Sequence, residues 1–231
     1  MKLVEFKNLS KNFGSKEVLK NINLTIEKGK IYGLLGPNGS GKTTMIKIIN
    51  DLLQPTTGEI LINECEPGIE SKKIISFLPE RTYLNMNMKV DELIHFFKDF
   101  YEDFDDKKAL HLLHKLKIKE TDQLKNMSKG TKEKVQLVMV MSRKADLYIL
   151  DEPIGGVDPA SRDYILETIL TNFNEGASIL ISTHLISDIE KILDQVIFIN
   201  QGKIVLNENA DTIRKKNKTT IDKLFREEFK C

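Results

Sequence analysis

The stretch Gly36-Pro37-Asn38-Gly39-Ser40-Gly41-Lys42-Thr43 directly follows the apolar run Ile31–Leu35 and completes the phosphate-loop pattern G-x-x-x-x-G-K-[ST]. Its glycines let backbone N–H groups turn inward around a phosphate. Lys42 offers a cation to the β and γ phosphates, and Thr43 offers a hydroxyl to Mg²⁺. Thr44 begins a predicted helix over residues 44–50, whose positive end adds to the anion site. A glycine-rich turn without a ligand is the alternative, but the complete pattern favours a nucleotide site.

The composition limits the possible partners. In this chain of 231 residues, 35 Lys and Arg nearly balance 34 Asp and Glu, so no overall basic field favours nucleic acid as a partner. Cys65 and Cys231 have neither the number nor the spacing of a disulfide framework or a zinc site, which predicts free thiols in a reducing cytosol. No apolar stretch approaches the ~20 residues that span a bilayer. If the protein serves a membrane, another chain must supply the spanning part.

A second acidic motif supports hydrolysis of the bound nucleotide. Leu147-Tyr-Ile-Leu-Asp-Glu-Pro153 reads as an apolar strand that ends in two carboxylates. Asp151 is predicted to hold Mg²⁺, directly or through water, and Glu152 to polarise a water for in-line attack on the γ phosphate. An ordinary acidic turn is the alternative, and the complete phosphate loop upstream disfavours it.

Hydrophobic periodicity predicts an α/β fold. Residues 4–26 alternate apolar and polar side chains, as in an antiparallel sheet with one buried face, and short strands are predicted at residues 59–62 and 74–78. Residues 90–143 have helical spacing, with one helix predicted over 132–143. Aliphatic runs at residues 147–150, 177–182 and 196–199, separated by helical segments, indicate a parallel sheet covered by helices.

These elements predict one domain over residues 1–231. We expect a P-loop NTPase core with a mainly parallel sheet and an antiparallel β subdomain over 1–80 and 145–208. A helical insertion subdomain is expected over 81–144, and a small C-terminal helical tail over 209–231.

At this point the chain resembles the nucleotide-binding subunit of an ATP-binding cassette (ABC) transporter, and the resemblance covers nearly the whole chain. Met127-Ser-Lys-Gly-Thr131 is similar to the family's Leu-Ser-Gly-Gly-Gln signature, matching it at Ser128 and Gly130 and departing from it at Lys129 and Thr131. The resemblance implies that this segment closes over the γ phosphate of ATP held by a second subunit. A serine helix cap followed by a glycine turn is the alternative.

Three further positions match the family. His184 in Ser182-Thr-His184 resembles the switch histidine that senses the γ phosphate, and Asp158 in Gly155-Gly-Val-Asp158 resembles the loop that couples two sites across a dimer. Phe13 occupies the place of an aromatic side chain that stacks on adenine. The alternatives are a structural histidine at a strand end, a solvated turn and core packing of Phe13.

Glu80 is a departure from the family. In Phe77-Leu-Pro-Glu80 it replaces a glutamine that touches Mg²⁺ and the attacking water. A carboxylate can still ligate Mg²⁺ or accept a hydrogen bond from water, but it adds negative charge beside the phosphates. The following segment, Thr82-Tyr-Leu-Asn-Met-Asn-Met88, either receives a helix of a membrane partner or packs inside the chain.

The resemblance implies an ATPase subunit that dimerises around two Mg-ATP and powers a separate multispanning membrane permease at the cytoplasmic face of the membrane. The dimer is either a homodimer or a heterodimer with a second ABC subunit, and the signature, Glu80 and the length resemble bacterial exporter systems. Its predicted catalytic residues are Lys42, Glu80, Glu152 and His184. A soluble ABC ATPase without a transport role and an ATP-binding regulatory module with low turnover are the alternatives. The first is disfavoured because the chain has neither a second phosphate loop nor a long coiled-coil insertion.

Overall fold

The computed structural model describes residues 1–217 and 219–229, which form two sheets and a set of flanking helices. Three residues lie outside the described part of the chain: Lys218, Lys230 and Cys231. The prediction of a free thiol at Cys231 therefore concerns a residue that the structure does not describe. The strands are β1 (Lys2–Phe13), β2 (Lys16–Glu27), β3 (Ile31–Leu35), β4 (Thr57–Ile62), β5 (Ile75–Leu78), β6 (Leu147–Asp151), β7 (Ser178–Ser182), β8 (Gln195–Asn200) and β9 (Lys203–Asn209). The α-helices are α1 (Lys42–Ile49), α2 (Ile69–Ile74), α3 (Val90–Phe100), α4 (Asp106–Lys115), α5 (Lys129–Met141), α6 (Pro159–Asn172), α7 (Ile186–Ile189), α8 (Ala210–Asn217) and α9 (Ile221–Phe229).

The larger sheet has six strands in the order β5-β6-β7-β3-β8-β9. The first five of these are parallel, and β9 pairs antiparallel to β8. Every residue of β6 and β7 is buried, as expected for parallel strands that are covered by helices on both faces. The α/β fold with a mainly parallel sheet is therefore confirmed.

The smaller sheet is antiparallel, in the order β2-β1-β4. Its inward side chains join α1 and one face of the larger sheet in a single apolar cluster, which includes Phe6, Met45 and Leu180. The helix that follows the phosphate loop is thus enclosed between two sheets. This packing fixes the position of the phosphate loop relative to the carboxyl ends of the strands.

Helices α3, α4 and the middle of α5 have an apolar cluster of their own, which includes Leu93, Phe97, Leu112 and Val138. A further cluster packs α6, α8 and α9 on the other face of the larger sheet, where Phe198 of β8 contacts the rings of Phe225 and Phe229 at centroid distances of 5.4 and 5.8 Å. Among the described residues, no helix combines the length and the apolar character needed to cross a bilayer.

Several predicted boundaries were wrong. Ile74 ends a short helix and the strand begins at Ile75. Helix α5 begins at Lys129 rather than at residue 132, because Ser128 caps it, and α1 begins at Lys42 rather than at Thr44. Strand β9 was not predicted, since its residues alternate between exposed and half-buried positions and carry few apolar side chains.

Candidate functional site

The phosphate loop connects the end of β3 to the start of α1, and two of its glycines have physical reasons to be glycine. A Cβ on Gly36 would lie 2.3 Å from the carbonyl oxygen of Ile199. Gly41 precedes α1 with φ of 116°, in the left-handed region that other residues avoid. The loop therefore passes close to β8 and then turns its N–H groups toward the cleft.

Lys42 is buried and its ammonium group donates to carbonyls of its own loop. Nζ lies 2.6 Å from the oxygen of Gly36 and 3.3 Å from that of Pro37. Burial lowers the pKa of Lys42, and the carboxylates of Glu152, Asp151 and Glu80 oppose this shift. The buried hydroxyl of Ser40 has no hydrogen-bond partner among the described residues. A buried cation and an unpaired donor in one loop fit a phosphate group.

Asp151 lies at the end of β6 beside two hydroxyl groups. Its carboxylate accepts a hydrogen bond from the hydroxyl of Ser182, and the hydroxyl of Thr43 lies beside it. Burial raises the pKa of Asp151, and the hydroxyls of Ser182 and Thr43 oppose that shift. The hydroxyl of Thr43 and the carboxylate of Asp151 are hard oxygen ligands in contact with each other, so this donor set fits Mg²⁺.

Glu152 and His184 lie side by side at the ends of adjacent strands. The Nδ1 atom of His184 is 3.0 Å from Oε2 of Glu152, and the backbone N–H of Glu152 donates to the carbonyl of Ser182 at 2.9 Å. Glu152 has φ of 52°, a left-handed conformation that costs energy in a residue with a Cβ. The turn directs its carboxylate to the cleft rather than along the strand.

These groups border one cleft of about 850 Å³. Glu80 lies in its wall, and its negative charge also raises the pKa of Asp151. The structure thus brings together most of the predicted site. The lining residues are Lys16, Val18, Asn38, Gly39, Ser40, Gly41, Lys42, Thr43, Thr44, Glu80, Arg81, Thr82, Lys129, Lys132, Glu133, Asp151, Glu152, Gly155, Gly156 and His184.

The segment around Ser128 begins α5 at the far side of this cleft. The Oγ atom of Ser128 accepts from the N–H of Thr131 at 3.1 Å, so it caps the helix. A Cβ on Gly130 would meet no atom of the described chain within 4 Å. Neither residue lines the cleft, whereas Lys129 between them does. The cap is present, and nothing within the described chain requires a glycine at position 130.

Comparisons with known proteins agree with this geometry. Residues 19–155 match the protein family described as ABC transporter. The chain belongs to the ABC transporter family. It is 32% identical to the ABC transporter ATP-binding protein YtrB of Bacillus subtilis, over 92% of this chain and 74% of that protein. It is also 32% identical to the lantibiotic transport ATP-binding protein SrtF of Streptococcus pyogenes, over 90% and 92%. A solved ATP-binding subunit of an ABC transporter superimposes with a TM-score of 0.88 at 28% identity, over 97% of this chain and 98% of that one.

The chain is therefore an ATP-binding subunit of the ABC type, an ATPase whose cofactor is Mg²⁺. Besides Ser128 and Gly130, two further positions matched to the ABC family, Asp158 and Phe13, lie outside the cleft. Asp158 caps α6 by accepting from the N–H of Ser161 at 3.0 Å, which holds the pKa of its carboxyl below the usual range. Phe13 is 49% exposed at the end of β1, with the Nζ of Lys11 5.2 Å from its ring centre. Core packing of Phe13 is thus excluded.

The segment that follows Glu80 in this ABC subunit was predicted either to receive a helix of a membrane partner or to pack inside the chain, and its residues differ in this respect. Leu84 is buried, and Met86 and Met88 pack against the apolar cluster of α3, α4 and α5. Tyr83 is 53% exposed and borders a second groove, beside Leu52. Three of the four apolar residues of this segment therefore pack inside the chain, and Tyr83 does not.

Sequence reasoning missed several residues that line the ATP cleft. Lys16 pairs with Phe13 across the β1–β2 turn, so the position of an adenine-stacking candidate could have drawn attention to it. No sequence signal marks Val18, Arg81 or Lys132, because tertiary packing alone brings them to the cleft.

We predict that Gly36→Ala weakens ATP binding by about tenfold or more, because the added Cβ displaces the loop from β8 and misplaces its N–H groups. Calorimetric titration with Mg-ATP measures the dissociation constant. Gly68→Ala is the matched control, since a Cβ there meets no described atom within 4 Å. Equal affinities in the two variants would contradict the prediction.

We predict that Asp151→Asn stabilises the nucleotide-free chain at neutral pH. A raised carboxyl pKa means that the ionised form is disfavoured in the folded state, so this cost is present in full above the folded pKa and vanishes below the unfolded pKa. The midpoint of thermal unfolding at pH 7 should rise by about 2–4 °C, and the gain should shrink as the pH falls toward ~4.

The control for this change is Asp99→Asn, at an exposed carboxylate on α3. Thermal unfolding of both variants across the pH range provides the measurement. A gain at Asp151 that is independent of pH, or that is matched at Asp99, would show that relief of carboxylate burial is not its cause.

Proposed function

We propose that this subunit hydrolyses ATP in a dimer with two composite sites and thereby drives a separate multispanning membrane permease. The observation that carries the proposal is the convergence of Lys42, Thr43, Asp151, Glu152 and His184 at one edge of the parallel sheet. We also propose that the chain is one ABC ATPase domain. Its core would comprise residues 1–80 and 145–208, its helical subdomain 81–144 and its tail 209–231.

Each residue of the site has a chemical task in this proposal. Lys42 leaves its loop carbonyls and neutralises the β and γ phosphates. Thr43, Asp151 and Glu80 hold Mg²⁺, which supplies positive charge to the phosphate oxygens. Glu152 accepts a proton from the attacking water, and His184 orients the γ phosphate after its hydrogen bond to Glu152 rearranges.

Three of the remaining motif residues, Ser128, Gly130 and Asp158, are proposed to act across the dimer. Ser128 and Gly130 present a hydroxyl, N–H groups and open space at the start of α5, which suits the γ phosphate of the opposing subunit. Asp158 lies at the dimer interface, and Phe13 offers an exposed ring for adenine. The partner is a second copy of this chain or another ABC subunit.

A groove on this subunit is a candidate docking site for the permease. A groove of about 440 Å³ lies beside β5, with an apolar wall that includes Leu52, Phe77, Tyr83, Phe97 and Tyr101. Its size and its exposed Tyr83 and Leu52 suit a short helix of a membrane protein. We propose that the subunit binds the cytoplasmic face of the membrane through such a helix, and that the permease belongs to a bacterial exporter, as the similarity to SrtF suggests.

ATP hydrolysis as a function of protein concentration tests the dimer. We predict that the rate per chain rises with concentration, and that Lys42→Ala and Glu152→Gln each abolish turnover because they remove phosphate binding and the general base. Glu152→Gln should also form a dimer with ATP that size-exclusion chromatography detects.

The same experiment distinguishes the other functions. A rate per chain that does not depend on concentration would contradict the composite site. ATP binding without turnover, and without an ATP-dependent dimer of Glu152→Gln, would favour the regulatory module with low turnover.

A further inference from the structure

Helix α5, which begins at Ser128, lies along β5, the edge strand that leads to Glu80. Polar contacts join β5 to α5 and to Arg143, two residues beyond the end of the helix. Ser76 Oγ donates to the carbonyl of Val140 at 2.8 Å, and the guanidinium group of Arg143 donates to the carbonyl of Ile75 at 2.5 Å. Helix-to-sheet contacts are usually apolar, so these polar bonds give the helix a fixed register along the strand.

The last contact of this series involves Gln136, which is only 3% exposed. Its Nε2 lies 3.5 Å from the carbonyl oxygen of Pro79, and its Oε1 is buried without a hydrogen-bond partner among the described residues. An unpaired buried acceptor costs free energy that an apolar side chain of similar size would avoid. Packing of α5 on β5 alone therefore does not account for a glutamine here.

The position of Gln136 relates it to the nucleotide cleft. Lys129, Lys132 and Glu133 of α5 line the cleft, and Gln136 follows Glu133 by three residues, on the same face of the helix. The carbonyl that it contacts belongs to the planar peptide group between Pro79 and Glu80. The orientation of that peptide group sets the direction in which the Glu80 side chain leaves the backbone.

The same contacts lie next to the groove assigned to the permease. Ser76, Pro79, Val140 and Arg143 border that groove on one side of the β5–α5 contact, and Glu80 borders the nucleotide cleft on the other. Arg143 also stacks on Tyr101, with its Cζ atom 3.9 Å from the ring centre. Arg81, next to Glu80, lines both the cleft and the groove, so the two sites adjoin at this segment.

We propose that Gln136 is a positioning residue for Glu80. Its amide nitrogen holds the Pro79–Glu80 peptide group, and its free oxygen takes a second hydrogen bond when the Glu80 segment closes on Mg-ATP. The carboxylate of Glu80 is thereby directed toward Asp151 and Lys42, which line the same cleft. This inference rests on the proposed role of Glu80 at Mg²⁺.

The test replaces Gln136 by Met, which keeps the volume and removes the amide. Gln123→Met is the matched control, because the Nε2 atom of Gln123 also donates to a backbone carbonyl, that of Asn87 at 2.9 Å, away from the cleft. Both changes are made in the wild-type chain and in Glu80→Ala. The readouts are the ATP dissociation constant with Mg²⁺ and with EDTA, and hydrogen–deuterium exchange of residues 79–83 without nucleotide.

We expect Gln136→Met to weaken ATP binding about tenfold in Mg²⁺, by analogy with residues that orient a metal ligand, and to leave binding in EDTA unchanged. Exchange over residues 79–83 should become faster. In Glu80→Ala the same change should have no further effect on affinity, because its target is absent. Gln123→Met should change neither readout.

An equal loss of affinity with and without Glu80, or an effect no larger than that of Gln123→Met, would overturn the inference while leaving the proposed function intact. Unchanged exchange over residues 79–83 would also overturn it. A wild-type chain that binds no ATP would overturn the proposed function and, with it, the role of Gln136.

Discussion

The site depends on the register of three parallel strands. Leu34 of β3 and Asp151 of β6 both pair with Ser182 of β7, so the three strands end at the same level. The phosphate loop leaves one strand end, the Asp151-Glu152 pair leaves the second, and the segment to His184 leaves the third. A shift of one residue in any strand would turn these side chains to the other face of the sheet, and this edge is where open α/β sheets bind ligands.

Burial at this edge makes the charges interdependent. Burial lowers the pKa of Lys42 and raises that of Asp151, so each group is less favourable as an ion in the folded chain than it would be in water. The ammonium of Lys42 donates to loop carbonyls, and the carboxylate of Asp151 accepts from the hydroxyl of Ser182. A bound phosphate and Mg²⁺ would replace these weak partners by charges of opposite sign. We infer that this replacement is a large part of the affinity for Mg-ATP.

The phosphate loop, the acidic strand end and the histidine strand end were predictable from the sequence because each is a local pattern with a specific chemical need. Strand β9 was not predictable, because its composition is largely polar. It forms because its backbone pairs with that of β8. Gln136 was missed because a glutamine in a helix ordinarily faces water, and only the packing of α5 on β5 buries it. The exposure of Phe13 likewise depends on the turn that it shares with Lys16. The residues at the centre of the cleft can therefore be predicted from local motifs, whereas those around it depend on tertiary contacts.

The central claim is that this strand edge is a single nucleotide site centred on Lys42. Calorimetric titration of Mg-ATP into the wild-type chain and into Lys42→Met tests it most directly, because methionine fills the buried space without the charge. The account predicts one ATP per wild-type chain and a loss of affinity of roughly tenfold to a hundredfold in the variant, as expected for a charged hydrogen bond. Equal affinity in both chains would show that ATP binds elsewhere and would contradict the account.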